Sequence, residues 1–185
     1  MEYYSNVILK NGTSVCLRNA TKDDGREVLE VFNLTHGETD YLLSYPDENS
    51  FDQMQEAEYL GQKSASPNEI EIAALIDGKI VGTAGIESVG TKYKVKHRAE
   101  FGICILNKYW GIGIGRALLD ACIECARAAG YVQLELEVVA DNSRAISMYK
   151  KAGFQEYGRN PKGYNSRSVG YKEIVYMRLE LQHKS

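Results

Sequence analysis

Polar and apolar positions change their period several times along this chain, and each change marks an element. Ser14 to Arg18 alternates as a strand. Thr21-Lys-Asp-Asp24 has the spacing of a capping box, and the helix it opens is predicted to run to about Thr35 with Val28, Leu29, Val31 and Phe32 available for burial. A polar, aromatic-rich stretch from His36 to Ser50 separates it from a second helix, Phe51 to Lys63. After a loop at Ser64 to Asn68, the strands Ile70 to Ile76 and Lys79 to Ser88 are joined by Asp77-Gly78, a hairpin turn. Ala99 to Leu106 reads as a strand, with Ile103 and Ile105 on one face. Arg116 to Ala129 reads as a helix closed by Gly130, and Val132 to Val139 as a strand with one wet face.

A short helix follows within Asp141 to Phe154, N-capped by Asp141 or Asn142 and closed by Gly153. Phe154 to Gly158 and Glu173 to Leu181 are the last predicted strands, and Arg159 to Tyr171 between them reads as a long loop rich in cations. The order β-α-α-β-β-β-α-β-α-β-β predicts a mixed α/β sandwich. No repeat or linker interrupts it, so residues 1–185 read as one domain.

Composition narrows the function classes without choosing one. Hydrophobic content of 44% and charged content of 25% are those of an ordinary globular chain with one sizeable core. A net charge of −3 gives no reason to expect nucleic acid or an anionic membrane as partner. The opening Met-Glu-Tyr-Tyr-Ser-Asn lacks a basic region before an apolar stretch, and no apolar run reaches membrane-spanning length, so the cytoplasm is the expected location. Cys122 and Cys125 form a Cys-x-x-Cys, but on a helix that spacing marks one buried face. His36, His97 and His183 are scattered, so no metal site is expected.

The chemistry concentrates at Trp110-Gly111-Ile112-Gly113-Ile114-Gly115-Arg116. Three alternate glycines let main-chain N–H groups approach a ligand closely, and the helix behind them turns its unpaired donors and positive dipole end into the same loop. That combination cradles a phosphate or pyrophosphate. A P-loop needs Lys and Ser/Thr after its last glycine, and Arg116-Ala117 stands there instead. A dinucleotide fingerprint needs a different glycine spacing and a second βαβ half. Downstream, Asn142, Ala145 and Tyr149 share one helix face, where the small Ala leaves a groove between two polar groups.

Taken together, Tyr-Trp-Gly-Ile-Gly-Ile-Gly-Arg (109–116) and Asp-Asn-Ser-Arg-Ala-Ile-Ser-Met-Tyr-Lys-Lys-Ala-Gly-Phe (141–154) resemble the GNAT N-acetyltransferase superfamily. The glycine turn is similar to that family's coenzyme A loop, usually Gln/Arg-x-x-Gly-x-Gly/Ala, with Trp110 in the Gln/Arg place. The motif likeness runs from about Glu100 to Phe154. The resemblance implies a mixed, mostly antiparallel central sheet flanked by helices. It also implies transfer of an acetyl group from acetyl-CoA to a primary amine, of a small molecule or a protein, by direct attack in a ternary complex.

On that resemblance, the main chain of Ile103 and Ile105 would hold the pantetheine arm, Trp110, Gly111, Ile112, Gly113, Ile114, Gly115 and Arg116 the pyrophosphate, and Asn142 the ligand from the neighbouring helix. Glu100 is the candidate base and Tyr149 the candidate acid for the departing thiolate. Glu38, Asp40, Asp47 and Glu48, interleaved with Tyr41 and Tyr45, could hold a cationic acceptor by charge and aromatic faces. A homodimer is compatible with this reading. The rival reading is a module that binds acetyl-CoA as a sensor without turnover.

Overall fold

In the computed structural model, which describes residues 1–181, eight strands form a single sheet. Their chain order is β1 (Tyr4–Ile8), β2 (Ser14–Asn19), β3 (Ile70–Ile76), β4 (Lys79–Ser88), β5 (Arg98–Ile105), β6 (Gln133–Val139), β7 (Gln155–Ser166) and β8 (Gly170–Glu180). The helices are α1 (Gly25–Glu38), α2 (Gln53–Ala65), α3 (Ile114–Ala128) and α4 (Ser143–Lys151). Across the sheet the strands lie in the order β1-β2-β3-β4-β5-β6-β8-β7. Every neighbouring pair is antiparallel except β5 and β6. The sheet is therefore mixed and mostly antiparallel, as expected. His183 lies outside the described residues.

Alternation along the central strands assigns their two faces. Ile70, Ile72, Ile86, Ala99, Phe101 and Leu134 are buried on one side in the same cluster as Leu118, Leu119 and Cys122 of α3. On the other side Ala73 meets Val28 and Val31 of α1 and Leu60 of α2. Cys122 and Cys125 are both buried, as their helical spacing implied. Asp52 caps α2, its carboxylate accepting from the N–H groups of Met54 and Gln55. Arg18 grips Asp24 with two 2.7 Å hydrogen bonds, tying β2 to the entrance of α1 and holding the Asp24 carboxyl below its usual range.

Two elements differ from the sequence reading. Tyr4–Ile8 is an additional edge strand in front of the expected first one; it buries little and alternates weakly, which hid its signal. Arg159 to Tyr171 is not a long loop. β7 runs to Ser166, and only Arg167-Ser168-Val169 separates it from β8. As an edge strand β7 needs no apolar face, so its polar run, with Pro161 and an irregular register between Asn160 and Tyr164, looked like loop sequence. The structured order is thus β-β-α-α-β-β-β-α-β-α-β-β.

Leu118 is fully buried between α3 and the sheet, whereas Leu34 on α1 is mostly exposed. Leu118→Ala should lower stability by about 2–5 kcal/mol. Leu34→Ala should stay within about 0.5 kcal/mol. Urea unfolding of the two variants, read against the parent, checks the contrast.

Candidate active site

The site begins where two parallel strands part. β5 and β6 pair only at Arg98–Gln133, Ala99–Leu134 and Glu100–Glu135, and beyond Glu100 both continue without pairing to each other. Leu106 donates its N–H to Val81 of β4 at 3.0 Å, so by strand alternation Cys104 and Gly102 face β4 while Ile103 and Ile105 face the gap. The Ile105 carbonyl accepts the Trp110 indole N–H at 2.7 Å. That leaves both main-chain groups of Ile103 and the N–H of Ile105 directed into the opening, an arrangement suited to an extended ligand carrying amides.

At the end of β5 the glycine turn leads into α3. Gly111 and Gly113 have φ of 81° and 111°, the left-handed region that favours glycine, and Gly113 occupies the N-cap of α3. Gly115 has a different reason: a Cβ there would press on Met148 Sδ at 3.3 Å, so its bareness lets α4 pack against the first turn of α3. The first inward bond of the helix runs from the Ala117 N–H to the Gly113 carbonyl at 3.1 Å. The N–H groups of Ile114, Gly115 and Arg116 have no acceptor among the described residues. They form a helix end of the kind suited to an anion, on a helix of 15 residues.

α4 closes the other side of the gap. Asn142 caps it, its Oδ1 accepting the Ala145 N–H at 3.2 Å, which leaves the amide NH2 free to donate toward a ligand. Tyr149 is 5% exposed, with its ring set edge-on to Phe101 at 6.1 Å and tilted against Phe154 at 5.8 Å. Its hydroxyl borders the cleft without a protein hydrogen-bond partner among the described residues, and burial pushes its pKa up. Core packing and a free hydroxyl thus coexist in one residue.

One cleft of about 1290 Å³ gathers these groups. Glu100, Ile103, Ile105, Trp110, Gly111, Gly113, Gly115, Arg116, Asn142 and Tyr149 all line it. Ile112 and Ile114 turn their side chains into the core, so only their main chain is available. The far wall holds residues that motif reading passed over: Glu56 and Tyr59 of α2, Glu71 of β3, Glu87 of β4, and Glu135 and Glu137 of β6. A signal existed, since glycines interrupt otherwise apolar strands at Gly85 and Gly102, and strand glycines mark places where something approaches closely.

Several carboxylates of that wall are committed. Glu135 is bidentate to Arg98, with one contact at 2.6 Å. Glu87 accepts from Tyr59 Oη at 2.6 Å and pairs with the buried Lys63 at 2.7 Å. Burial works to raise the Glu87 carboxyl, but those two donors outweigh it and hold it below its ordinary range. Burial raises Glu56, and burial with the nearby Glu100 raises Glu137. Glu100 itself is exposed at the mouth of the wall.

The acidic, aromatic stretch before α2 already holds cations, and they belong to the chain itself. Arg167, at the tip of the β7–β8 hairpin, lies 4.2 Å from the Tyr45 ring centre and pairs with Asp47 at 2.7 Å and Glu48 at 3.4 Å. Asp40 accepts from the hydroxyls of Tyr45 and Tyr164, and Lys172 sits between Asp40 and Asp141. Glu38 accepts the Asn107 N–H at 2.7 Å. The stretch is therefore a flap clasped to the hairpin, and its residues Tyr41, Leu43 and Phe51 border the cleft, the last two still exposed.

Comparison with known proteins agrees with this geometry. Residues 32–154 match the profile of the acetyltransferase (GNAT) family. An L-amino acid N-acetyltransferase of Escherichia coli (strain K12) is 36% identical over 112 residues, covering 60% of this chain and 68% of that protein. An N-alpha-acetyltransferase of Mycobacterium tuberculosis is 35% identical over 100 residues, covering 54% of this chain and 61% of that protein. Among solved structures, a GNAT-family acetyltransferase from Streptococcus pneumoniae aligns with a TM-score of 0.86 at 28% identity, over 90% of this chain and 99% of that one. A putative acetyltransferase from Salmonella typhimurium, solved with acetyl-CoA, shares the fold with a TM-score of 0.81 at 18% identity, over 92% of this chain and 96% of that one. With parted strands, a bare helix end and a free tyrosine hydroxyl in one cleft, and with the family profile spanning those same elements, this chain belongs to the GNAT acetyltransferase family, whose reaction moves an acetyl group from acetyl-CoA to an amine.

Proposed function

We propose that the chain acetylates the primary amine of an amino acid or of a protein α-amine by direct attack, with both substrates bound in the one cleft. The single observation that carries this reading is the gap between β5 and β6, flanked by the free N–H groups of α3 and by the Tyr149 hydroxyl. Acetyl-CoA supplies an activated thioester. Ile103 and Ile105 would hold its pantetheine amides, residues 110–116 its pyrophosphate, and the Asn142 amide would donate from α4. Arg144, stacked over Trp110 at 5.5 Å, and Arg116 add positive charge at the phosphate end. The acceptor side is carboxylate-rich and suits an ammonium group, which Glu100, lining the same cleft, would orient.

The protein's own groups then manage protons. An amine of pKa about 10 sits three units from its reactive form at pH 7, a penalty of about 4 kcal/mol that a nearby base relieves. The leaving thiolate, of ordinary pKa about 8.5, needs only modest help, which the Tyr149 hydroxyl can give. No helix among the described residues is long and apolar enough to cross a membrane. Cys16, Cys104, Cys122 and Cys125 are free thiols, which fits the reducing cytoplasm proposed as its location.

The deciding experiment is thiol release from acetyl-CoA over a panel of free amino acids, diamines and short peptides. Turnover with an α-amine supports the reading, while tight acetyl-CoA binding without turnover would make the chain a sensor. Tyr149→Phe keeps the ring packing and removes the hydroxyl. It should lower kcat roughly ten- to a hundred-fold, at the low end of acid catalysis because the thiolate leaves easily. The acetyl-CoA Kd should stay within twofold, since the hydroxyl acts mainly in the transition state. Arg167→Ala unclasps the flap, so the acceptor KM should rise several-fold with the acetyl-CoA Kd unmoved; steady-state kinetics on the best amine checks it.

A further inference from the structure

We propose that Glu71 is the base that takes the proton from the acceptor ammonium, reaching the reaction point across two adjacent residues without side chains. This rests on the acetyl-transfer reading above. Glu71 on β3 pairs with Gly85 on β4, and Gly85 pairs with Gly102 on β5, so the three form one row across the sheet on the face opposite α3. Strands lie about 4.8 Å apart, which puts the Glu71 Cα about 10 Å from the Gly102 Cα. The side chain covers roughly half that span. A Cβ built on Gly85 would overlap Glu71 Oε2, so the carboxylate lies directly over that glycine. At Gly102 a Cβ would meet nothing within 4 Å, so the space beyond the carboxylate is open cleft. Gly102 stands just past Glu100, where β5 and β6 part.

The neighbouring row explains why the other carboxylates suit this task less well. Glu87, Glu100 and Glu135 follow one another across β4, β5 and β6. Glu87 is held by Lys63 and Tyr59, which keep its carboxyl below its ordinary range, and both oxygens of Glu135 are already engaged by Arg98. Glu100 is open to water. Glu71 is half-buried, and burial pushes its carboxyl up to about 7 against the opposing pull of Thr83 and Lys63, with Glu87 and Glu56 reinforcing the rise. Tyr59 of α2 and Cys104 of β5 lie close enough to feel its charge, and His36 of α1 and Glu100 of β5 line the same cleft. A base that titrates near the working pH combines enough ionised form with enough proton affinity.

The proton balance is complete. The acceptor ammonium gives one proton to Glu71, and its freed nitrogen lone pair forms the bond to the thioester carbonyl carbon. The carbon–sulfur bond breaks, and the second nitrogen proton passes to the departing thiolate through the Tyr149 hydroxyl. Glu71 returns its proton to water. No redox partner is needed.

The test compares kcat/KM from pH 5.5 to 9 for the wild type, E71Q, E71D and E100Q, with acetyl-CoA affinity measured by calorimetry. Because the base acts when ionised, wild-type kcat/KM should rise with pH through a limb near 7, well below the titration of a free amine. E71Q should lose about 100-fold or more and lose that limb, with the acetyl-CoA Kd within twofold. E71D should keep the limb at a reduced rate, and E100Q should keep it whatever its rate. Gly85→Ala, which displaces the carboxylate, should behave like E71Q, and E71Q decides alone if that variant does not fold. An E71Q enzyme within threefold of wild type, or one retaining the limb, overturns the proposal, as does loss of the limb in E100Q alone. A wild type that binds acetyl-CoA and turns over no amine overturns the acetyl-transfer reading first, before any variant is compared.

Discussion

The parting of β5 and β6 is the constraint on which the rest of the structure depends. A sheet interior normally leaves no main-chain donor or acceptor unmatched. Here the pairing stops after Glu100 and Glu135 in the middle of an eight-stranded sheet, and Ile103 faces an opening instead of a neighbour. The gap is kept open from both ends. Trp110 binds the Ile105 carbonyl and so holds the end of β5 against the glycine turn, and α4 packs Met148 against Gly115 at the start of α3. A ligand that supplies amide hydrogen bonds would complete the sheet, which is why the gap is proposed to take an extended thioester carrier.

Around that gap the protein divides its work between main chain and side chains. The side proposed for the cofactor offers N–H groups of Ile103, Ile105 and the first turn of α3, a main-chain recognition that would tolerate Trp110 where the family pattern usually has a polar residue. The side proposed for the acceptor offers carboxylates, each set by its surroundings. Lys63 and Tyr59 hold the Glu87 carboxyl below its ordinary range and Arg98 engages both oxygens of Glu135, while withdrawal from water raises the carboxyl of Glu71. Chemically identical groups in two adjacent rows thus differ in character through their neighbours alone.

The flap over the cleft shows charge complementarity used within the chain. Asp40, Asp47 and Glu48 would repel one another if left alone, and Arg167 and Lys172 from the β7–β8 hairpin gather them into a clasp that also engages the rings of Tyr41 and Tyr45. These pairs are largely exposed, so each is worth little by itself. Their value lies in joining two segments over a hundred residues apart, which gives the cleft a border.

Local pattern was enough to determine the central elements, the glycine turn and the helix face that borders the cleft. Glycine spacing, the cap at Asn142 and the 3.6-residue face carrying Ala145 and Tyr149 are short-range features, and short-range physics places them correctly once the helices form. β1 and the length of β7 escaped, because an edge strand buries too little to impose alternation on its sequence. The same limit applied to Asp40, Asp47 and Glu48, whose partners lie on a hairpin far along the chain. Only tertiary structure could align Glu71, Gly85 and Gly102, since the row depends on the register of three strands. Register follows from burial of Ile70, Ile86 and Phe101 on the opposite face against α3, a packing constraint that no single segment carries.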